Sequence, residues 1–212
     1  MTVTEIKPVT KQKFQIELDG QPAFVLYKGE LSRYHIQKGE ELEEAVYREI
    51  VAEVLTKRAK LRAMHLLEKM DRTKAELRRK LEQSGYPSEA VEAALAYVES
   101  FHYIDDARYA ARYIEFQKAK KGKARLKMEL QQKGIPSQIV SCALEEAEDT
   151  MNPRDTIRRM MESKRKSNGP LEEKEKQILY GFFMRKGFSA SDILAVFREK
   201  GEKEWEDRPP FC

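Results

Sequence analysis

The chain has 212 residues, with 40 Lys and Arg against 36 Asp and Glu, giving a formal net charge of +4. Its charged fraction of 36% stands well above the roughly 25% of ordinary soluble domains, while 41% apolar residues suffice for a modest core. No apolar run approaches the roughly 20 residues that span a bilayer, the N-terminus lacks the apolar stretch of a secretory signal, and Cys142 and Cys212 form no CxxC or disulfide framework, so a reducing, cytoplasmic compartment is expected.

Residues 1–40 read as β-structure. Phe14-Gln-Ile-Glu-Leu18 alternates with period two, Asp19-Gly20 is a two-residue turn signal, and Ala23-Phe-Val-Leu-Tyr27 follows. This predicts a β-hairpin, with a third strand near residues 3–9. A lone hairpin is marginal in water, so it is expected to pack on the first helical unit. From there, few Gly and Pro among many Glu, Lys, Leu, Ala and Arg point to helices. A leading helix is predicted from about Glu41 to Glu68, with Val46, Ile50, Val54, Leu61 and Leu67 as its apolar positions.

The rest of the chain repeats. Three segments end on a glycine, namely Ala75 to Gly85, Ala124 to Gly134 and Gln177 to Gly187. Eight and four residues before each glycine stand Leu77 and Leu81, Leu126 and Leu130, Leu179 and Phe183, an i, i+4 helical stripe. An apolar residue follows each glycine (Tyr86, Ile135, Phe188), and then a second stripe begins with Val91 and Leu95, Val140 and Leu144, Ile193 and Phe197. The pattern predicts a helix, a Schellman stop with Gly in the left-handed conformation, and a second helix. Thr73-x-x-Glu76 and Ser189-x-x-Asp192 are candidate capping pairs, and Ser88 and Ser137 candidate N-caps. A further helix precedes each later pair. Asp105 caps one from Asp106 to about Ala119, with Tyr109, Tyr113 and Phe116 on one face. Asn152-Pro153 starts another, running to about Lys166. The predicted fold is mainly α: three tandem three-helix repeats (41–104, 105–151, 152–200) forming an elongated, curved array, preceded by a small N-terminal β-hairpin region (1–40) and followed by a frayed tail (201–212).

Charge follows the same rhythm. Residues 57–80 carry ten basic side chains against three acidic, and residues 107–133 nine against two, while residues 81–106 hold six acidic ones and no Lys or Arg. Such blocks are either solvated helix faces or one basic side of an array suited to a polyanion or acidic partner. Lys74, Lys123 and Lys176 all stand eleven residues before their glycine, and Arg78 and Lys127 seven before it, so a ridge of cations is predicted to cross the units.

Catalytic chemistry is not legible. His35, His65 and His102 lack a second His or Cys at metal-ligand spacing, no GxxxxGK[ST] or GxGxxG occurs, and Lys120-Lys-Gly-Lys123 has no apolar strand before it. Asp105-Asp106 is explained by helix capping and the helix dipole. A binding or regulatory protein is expected, with no enzymatic activity, no metal and no cofactor.

Three motifs carry a family resemblance. Tyr103-Ile-Asp-Asp-Ala-Arg-Tyr-Ala110, then Arg72-Thr-x-x-Glu-Leu-Arg-x-Lys-Leu81 with Lys121-Gly-x-x-x-Leu-x-x-Glu-Leu-x-x-Lys-Gly-Ile135, and Arg185-Lys-Gly-Phe188 resemble the signatures of RecX, bacterial regulators of RecA recombinase. The resemblance covers roughly residues 10–200. It departs at Phe101-His102, where the family often has Gly before the Tyr. It implies three-helix repeats and a partner in RecA and its nucleoprotein filament. It also implies inhibition of RecA ATPase, strand exchange and filament growth in recombination and the SOS response, with DNA binding by some members. On that footing a monomer is expected to meet RecA or DNA through Arg72, Lys74, Arg78, Arg79, Arg108, Arg112, Lys120, Lys121, Lys123, Arg125 and Lys127, with Tyr103, Asp105 and Tyr109 as cap and core. A DNA-binding helical module independent of RecA is the alternative.

Overall fold

The computed structural model describes residues 1–164 and 172–199. The predicted tail over 201–212 and the end of the third leading helix at Lys166 lie outside the described residues. The chain divides into two compact units, Met1–Asp105 and Asp106–Cys212.

In the first unit, strands β1 (Val3–Pro8), β2 (Lys13–Leu18) and β3 (Gln21–Tyr27) form an antiparallel sheet in that order. The hairpin turns at Asp19 and Gly20 with φ of 49° and 80°, the paired positive values that Asp-Gly favours. Period-two alternation turns Ile16, Leu18, Phe24 and Leu26 inward. A short helix, α1 (Lys28–Arg33), leads to α2 (Glu44–Glu49), a π-helical stretch (Ile50–Leu55) and α3 (Thr56–Lys69), then α4 (Lys74–Glu82) and α5 (Ser88–Ser100). The sheet and these helices share one core, so the β-region packs on the first helical repeat as expected.

The π-helical stretch corrects the predicted face of the leading helix. Its wider turn shifts the phase of the stripe, so Val51, Leu55, Ala59, Ala63 and Leu66 are buried with Ile50, while Leu61 is 69% exposed.

The second unit holds α6 (Asp106–Gln117), α7 (Lys123–Gln132) and α8 (Ser137–Glu146), then a 3-10 turn (Glu148–Thr150), α9 (Pro153–Lys164), α10 (Glu173–Arg185) and α11 (Ala190–Glu199). α6–α8 close over Ala110, Ile114, Leu126, Leu130 and Leu144, and α9–α11 over Ile157, Met161, Leu179, Phe183 and Phe197. Each repeat therefore has its own core.

The three glycine stops are Schellman motifs. Gly85, Gly134 and Gly187 have φ of 80°, 82° and 83°. The next N–H reaches back five residues, from Tyr86 to Leu81 O (3.4 Å), Ile135 to Leu130 O (3.2 Å) and Phe188 to Phe183 O (3.2 Å). His102 (φ 55°) takes the same place after α5, with Tyr103 N bonded to Val98 O at 2.9 Å. The departure from the family's usual Gly thus keeps the turn.

Thr73 and Glu76 form the reciprocal capping box, Asp192 N donates to Ser189 Oγ at 3.1 Å, and Asp155 N donates to Asn152 Oδ1 at 3.1 Å. Ser88 and Ser137 are not N-caps. Pro87 and Pro136 hold that position with extended ψ, and their carbonyls accept from Val91 and Val140, because the ring fixes a φ that suits the entry. Two aromatic assignments also change. Tyr103 is 49% exposed and stacks on Phe101, since the turn at His102 points Ile104 inward in its place. Phe116 is 72% exposed: Ala110 and Ile114 face the core, and Tyr109 and Tyr113 lie half-buried at its rim.

Candidate functional site

The basic residues singled out in the sequence fall into three physical situations. The first is pairing within a repeat. Lys74, which opens α4, lies 2.8 Å from Glu99 near the end of α5, and Lys123, which opens α7, lies 3.3 Å from Glu148 just past α8. Glu99 and Glu148 each stand fourteen residues after their repeat's glycine. The same hairpin geometry therefore delivers the same carboxylate to the same lysine. Lys176 instead meets Glu173 of its own helix at 3.5 Å. The predicted ridge of three lysines is thus accompanied by three carboxylates. Arg78 makes a forked pair with Glu92, Nη2 to Oε2 at 3.0 Å.

The second situation is structural anchoring around Glu129 on α7. Its Oε2 accepts from Lys121 Nζ (2.6 Å) and Tyr113 OH (2.7 Å), and its Oε1 from Arg125 Nε (2.7 Å). Burial raises the carboxyl's pKa, but the bonds from Lys121, Tyr113 and Arg125 outweigh it and hold the pKa down to about 2. Lys121 is pulled down by burial, yet its bonds to Glu129 and Tyr113 carry it above the ordinary lysine value. Burial, with the bond to Glu129, raises the Tyr113 phenol. Tyr113 and Lys121 therefore fasten α7 to α6, while Arg125 is engaged with the same carboxylate from one turn earlier on α7. Sequence reasoning missed Glu129; the only local signal was its i, i+4 spacing from Arg125.

The third situation is exposure without a carboxylate. Among the described residues no acidic side chain pairs with Arg79, Lys80, Lys120 or Lys127, and all four are exposed. Lys127 is instructive. Its counterpart Arg78 is held by Glu92, seven residues after Gly85, but seven residues after Gly134 stands Ser141. Outside these situations, Arg108 and Arg112 are exposed one turn apart on α6, each with an interaction of its own, and Arg72 is half-buried with an Nε that finds no partner. Arg72, Lys74, Arg78 and Arg79 belong to the first unit and Arg108 to Lys127 to the second.

Within the second unit, the turn before α7 packs on the turn before α11. Gly122 N donates to Lys186 O at 2.9 Å and Ala124 N to Gly187 O at 3.3 Å. A Cβ on Gly122 would lie 2.1 Å from Gly187 O, so the approach requires glycine. Beside this junction Lys123 and Lys127 rim a cleft of about 500 Å³ floored by Leu144, Met151 and Phe188. The described residues contain no His, Cys, Asp and Glu cluster fit to hold a metal, and no helix among them is long and apolar enough to cross a membrane.

Comparison with known proteins places these repeats. Residues 59–97 match the first three-helix domain of RecX, residues 105–144 the second and residues 154–197 the third. The chain is similar to Regulatory protein RecX of Levilactobacillus brevis, 31% identical over 102 residues, covering 48% of this chain and 38% of that protein. It is also similar to Regulatory protein RecX of Caldanaerobacter subterraneus subsp. tengcongensis, 28% identical over 116 residues, covering 54% and 59%. The matched region thus spans between about two fifths and three fifths of these relatives' length. A crystal structure of regulatory protein RecX superimposes with a TM-score of 0.61 at 26% identity, over 93% of this chain and 98% of that one. RecX from Lactobacillus salivarius shares the fold at 19% identity and a TM-score of 0.56, over 69% and 96%.

Proposed function

The chain belongs to the RecX family, and we propose that it regulates RecA: it binds RecA and the RecA–DNA filament and damps ATPase activity, strand exchange and filament growth. The observation that carries this reading is the match of all three RecX three-helix domains in order along the chain. The relatives are named regulatory proteins, and the reading has no catalytic step, metal or cofactor in it. The protein acts in the cytoplasm as a monomer, with its repeats as the domains set out from the sequence.

The contact set is centred on Arg79, Lys80, Lys120 and Lys127, whose charge no carboxylate of the described residues offsets, and also includes Arg72, Arg108 and Arg112. Lys74, Arg78 and Lys123 contribute less because each meets a carboxylate, and Lys121 and Arg125 act through the fold. The test is RecA ATPase on single-stranded DNA with the full chain added below stoichiometry. A fall in steady-state turnover is expected; unchanged turnover up to an equimolar amount would remove the reading.

The same four cations favour direct DNA binding as a second reading. It expects log affinity to fall linearly with log salt in the absence of RecA, with a slope set by the phosphates met. A flat salt response leaves protein contact alone.

A further inference from the structure

The N-terminal sheet and the first helical repeat leave a cleft of about 700 Å³ between them. One wall comes from the β1–β2 loop and the two strands after it (Val9, Lys13, Tyr27), the other from α3 and the end of α4 (Leu61, Arg62, Glu82). Only the second wall lies within the matched three-helix domain, which begins at residue 59. The cleft is therefore made by joining the β-region to that domain.

Two features of the walls point to a ligand. Leu61 is 69% exposed and Val9 57%, so two large aliphatic side chains stand in water on opposite sides of one concavity. Apolar surface gathered in a concavity is informative where single exposed residues are not. The second feature is charge. Tyr27 has Lys13 Nζ 5.4 Å and the Arg58 guanidinium 4.5 Å from its ring centre. Arg58 is committed to Glu30 and to Val25 O, whereas neither Lys13 nor Arg62 meets a carboxylate among the described residues. Glu82 on the rim likewise has no cation there.

We propose that this cleft docks an acidic, leucine- or phenylalanine-bearing segment of a partner protein. The apolar side chain sits between Val9 and Leu61, and flanking carboxylates pair with Lys13 and Arg62. Glu82 selects against a continuous polyanion such as a phosphodiester chain, which would place a phosphate against it, whereas a peptide turns an N–H or a neutral side chain there. The proposal deepens the regulatory reading, since RecA is the partner that reading names.

The test uses the full chain and a fluorescein-labelled peptide of about twelve residues built from Asp, Glu and Leu, followed by anisotropy. A peptide with Lys in place of every acid and a thymidine oligonucleotide serve as competitors. Saturable binding is expected, weakened about tenfold or more by Leu61→Asp and by Arg62→Glu, each of which removes one of the two contacts. Both positions are exposed, and circular dichroism checks that the variants fold as the parent does. Absence of saturable binding, binding indifferent to both substitutions, or displacement by the oligonucleotide as readily as by unlabelled acidic peptide overturns the proposal. None of these outcomes involves RecA. A chain that takes the peptide but leaves RecA turnover unchanged keeps the cleft and loses the RecA reading, and the converse result does the reverse.

Discussion

Replacing Glu129 with Gln separates a structural cluster from an interaction surface. The folded carboxyl is held at about 2, against 4.5 for the ordinary group. Full conversion at roughly 1.4 kcal/mol per unit gives about 3.5 kcal/mol of stability at neutral pH, and water access to a side chain that keeps 13% of its surface open brings this to about 2 kcal/mol. The sign follows from a depressed folded value: the contribution is complete above the unfolded pKa near 4.5 and is lost as pH falls toward about 2. Urea denaturation of the second unit's transition, in the full chain, is the assay. Glu129→Gln should cost about 2 kcal/mol at pH 7, and its difference from the parent should shrink by about 1 to 1.5 kcal/mol by pH 3. Lys121→Met should be destabilising too, because it removes one of two cations from a shielded carboxylate that keeps only Tyr113 and Arg125, and the two changes should be non-additive. A penalty for Glu129→Gln that stays constant from pH 7 to pH 3 would refute the argument.

Two further outcomes concern backbone conformation. His102→Gly relieves a left-handed residue at the end of α5 and should raise the first unit's stability by about 0.5 to 1 kcal/mol in the same assay. Gly187→Ala adds a Cβ at φ 83° and 2.2 Å from the backbone nitrogen of Arg125, which moves only if α7 moves; a loss of about 2 kcal/mol or more is expected, with reduced hydrogen-exchange protection at Gly122 and Ala124. Gly20→Ala, with open space around it, should cost only about 1 kcal/mol, and equal costs at both sites would remove the packing role of Gly187.

What the sequence disclosed was local. Asp19-Gly20 prescribed its turn, the three glycines their Schellman stops, and Thr73-x-x-Glu76 its box, because each is decided by residues within one turn of one another. The phase of a long helix is decided elsewhere. The π-helical stretch at 50–55 moved Leu61 to the surface, and no residue type announces such a turn. Tyr103, expected in the cap and core, yields the inner position to Ile104, and Phe116, expected on one face with Tyr109 and Tyr113, points to solvent while Ala110 and Ile114 fill the core. The candidate surface was half legible. Basic blocks can be counted, but which cation is neutralised depends on acids fourteen or more residues away, as Lys74–Glu99 and Arg78–Glu92 demonstrate.

That dependence gives the net charge of +4 a definite meaning and a test. In the first two repeats the acidic blocks are not a separate face: carboxylates on or just past α5 and α8 return to cations of α4 and α7. Lys127 escapes because Ser141 stands where the preceding repeat has Glu92. Ser141→Glu would supply the missing partner without touching the lysine. A solvated pair of this kind adds only about 0 to 1 kcal/mol, so stability should hardly change. If Lys127 meets RecA or DNA, however, neutralising it should weaken inhibition of RecA turnover as Lys127→Ala does, and should lower the salt slope of any DNA binding by about one phosphate's worth. Ser141→Gln is the control for bulk at that half-buried position. Equal activity of the Glu and Gln variants, with Lys127→Ala also unchanged, would return Lys127 to the status of a solvated side chain and shift the contact to Arg79, Lys80 and Lys120.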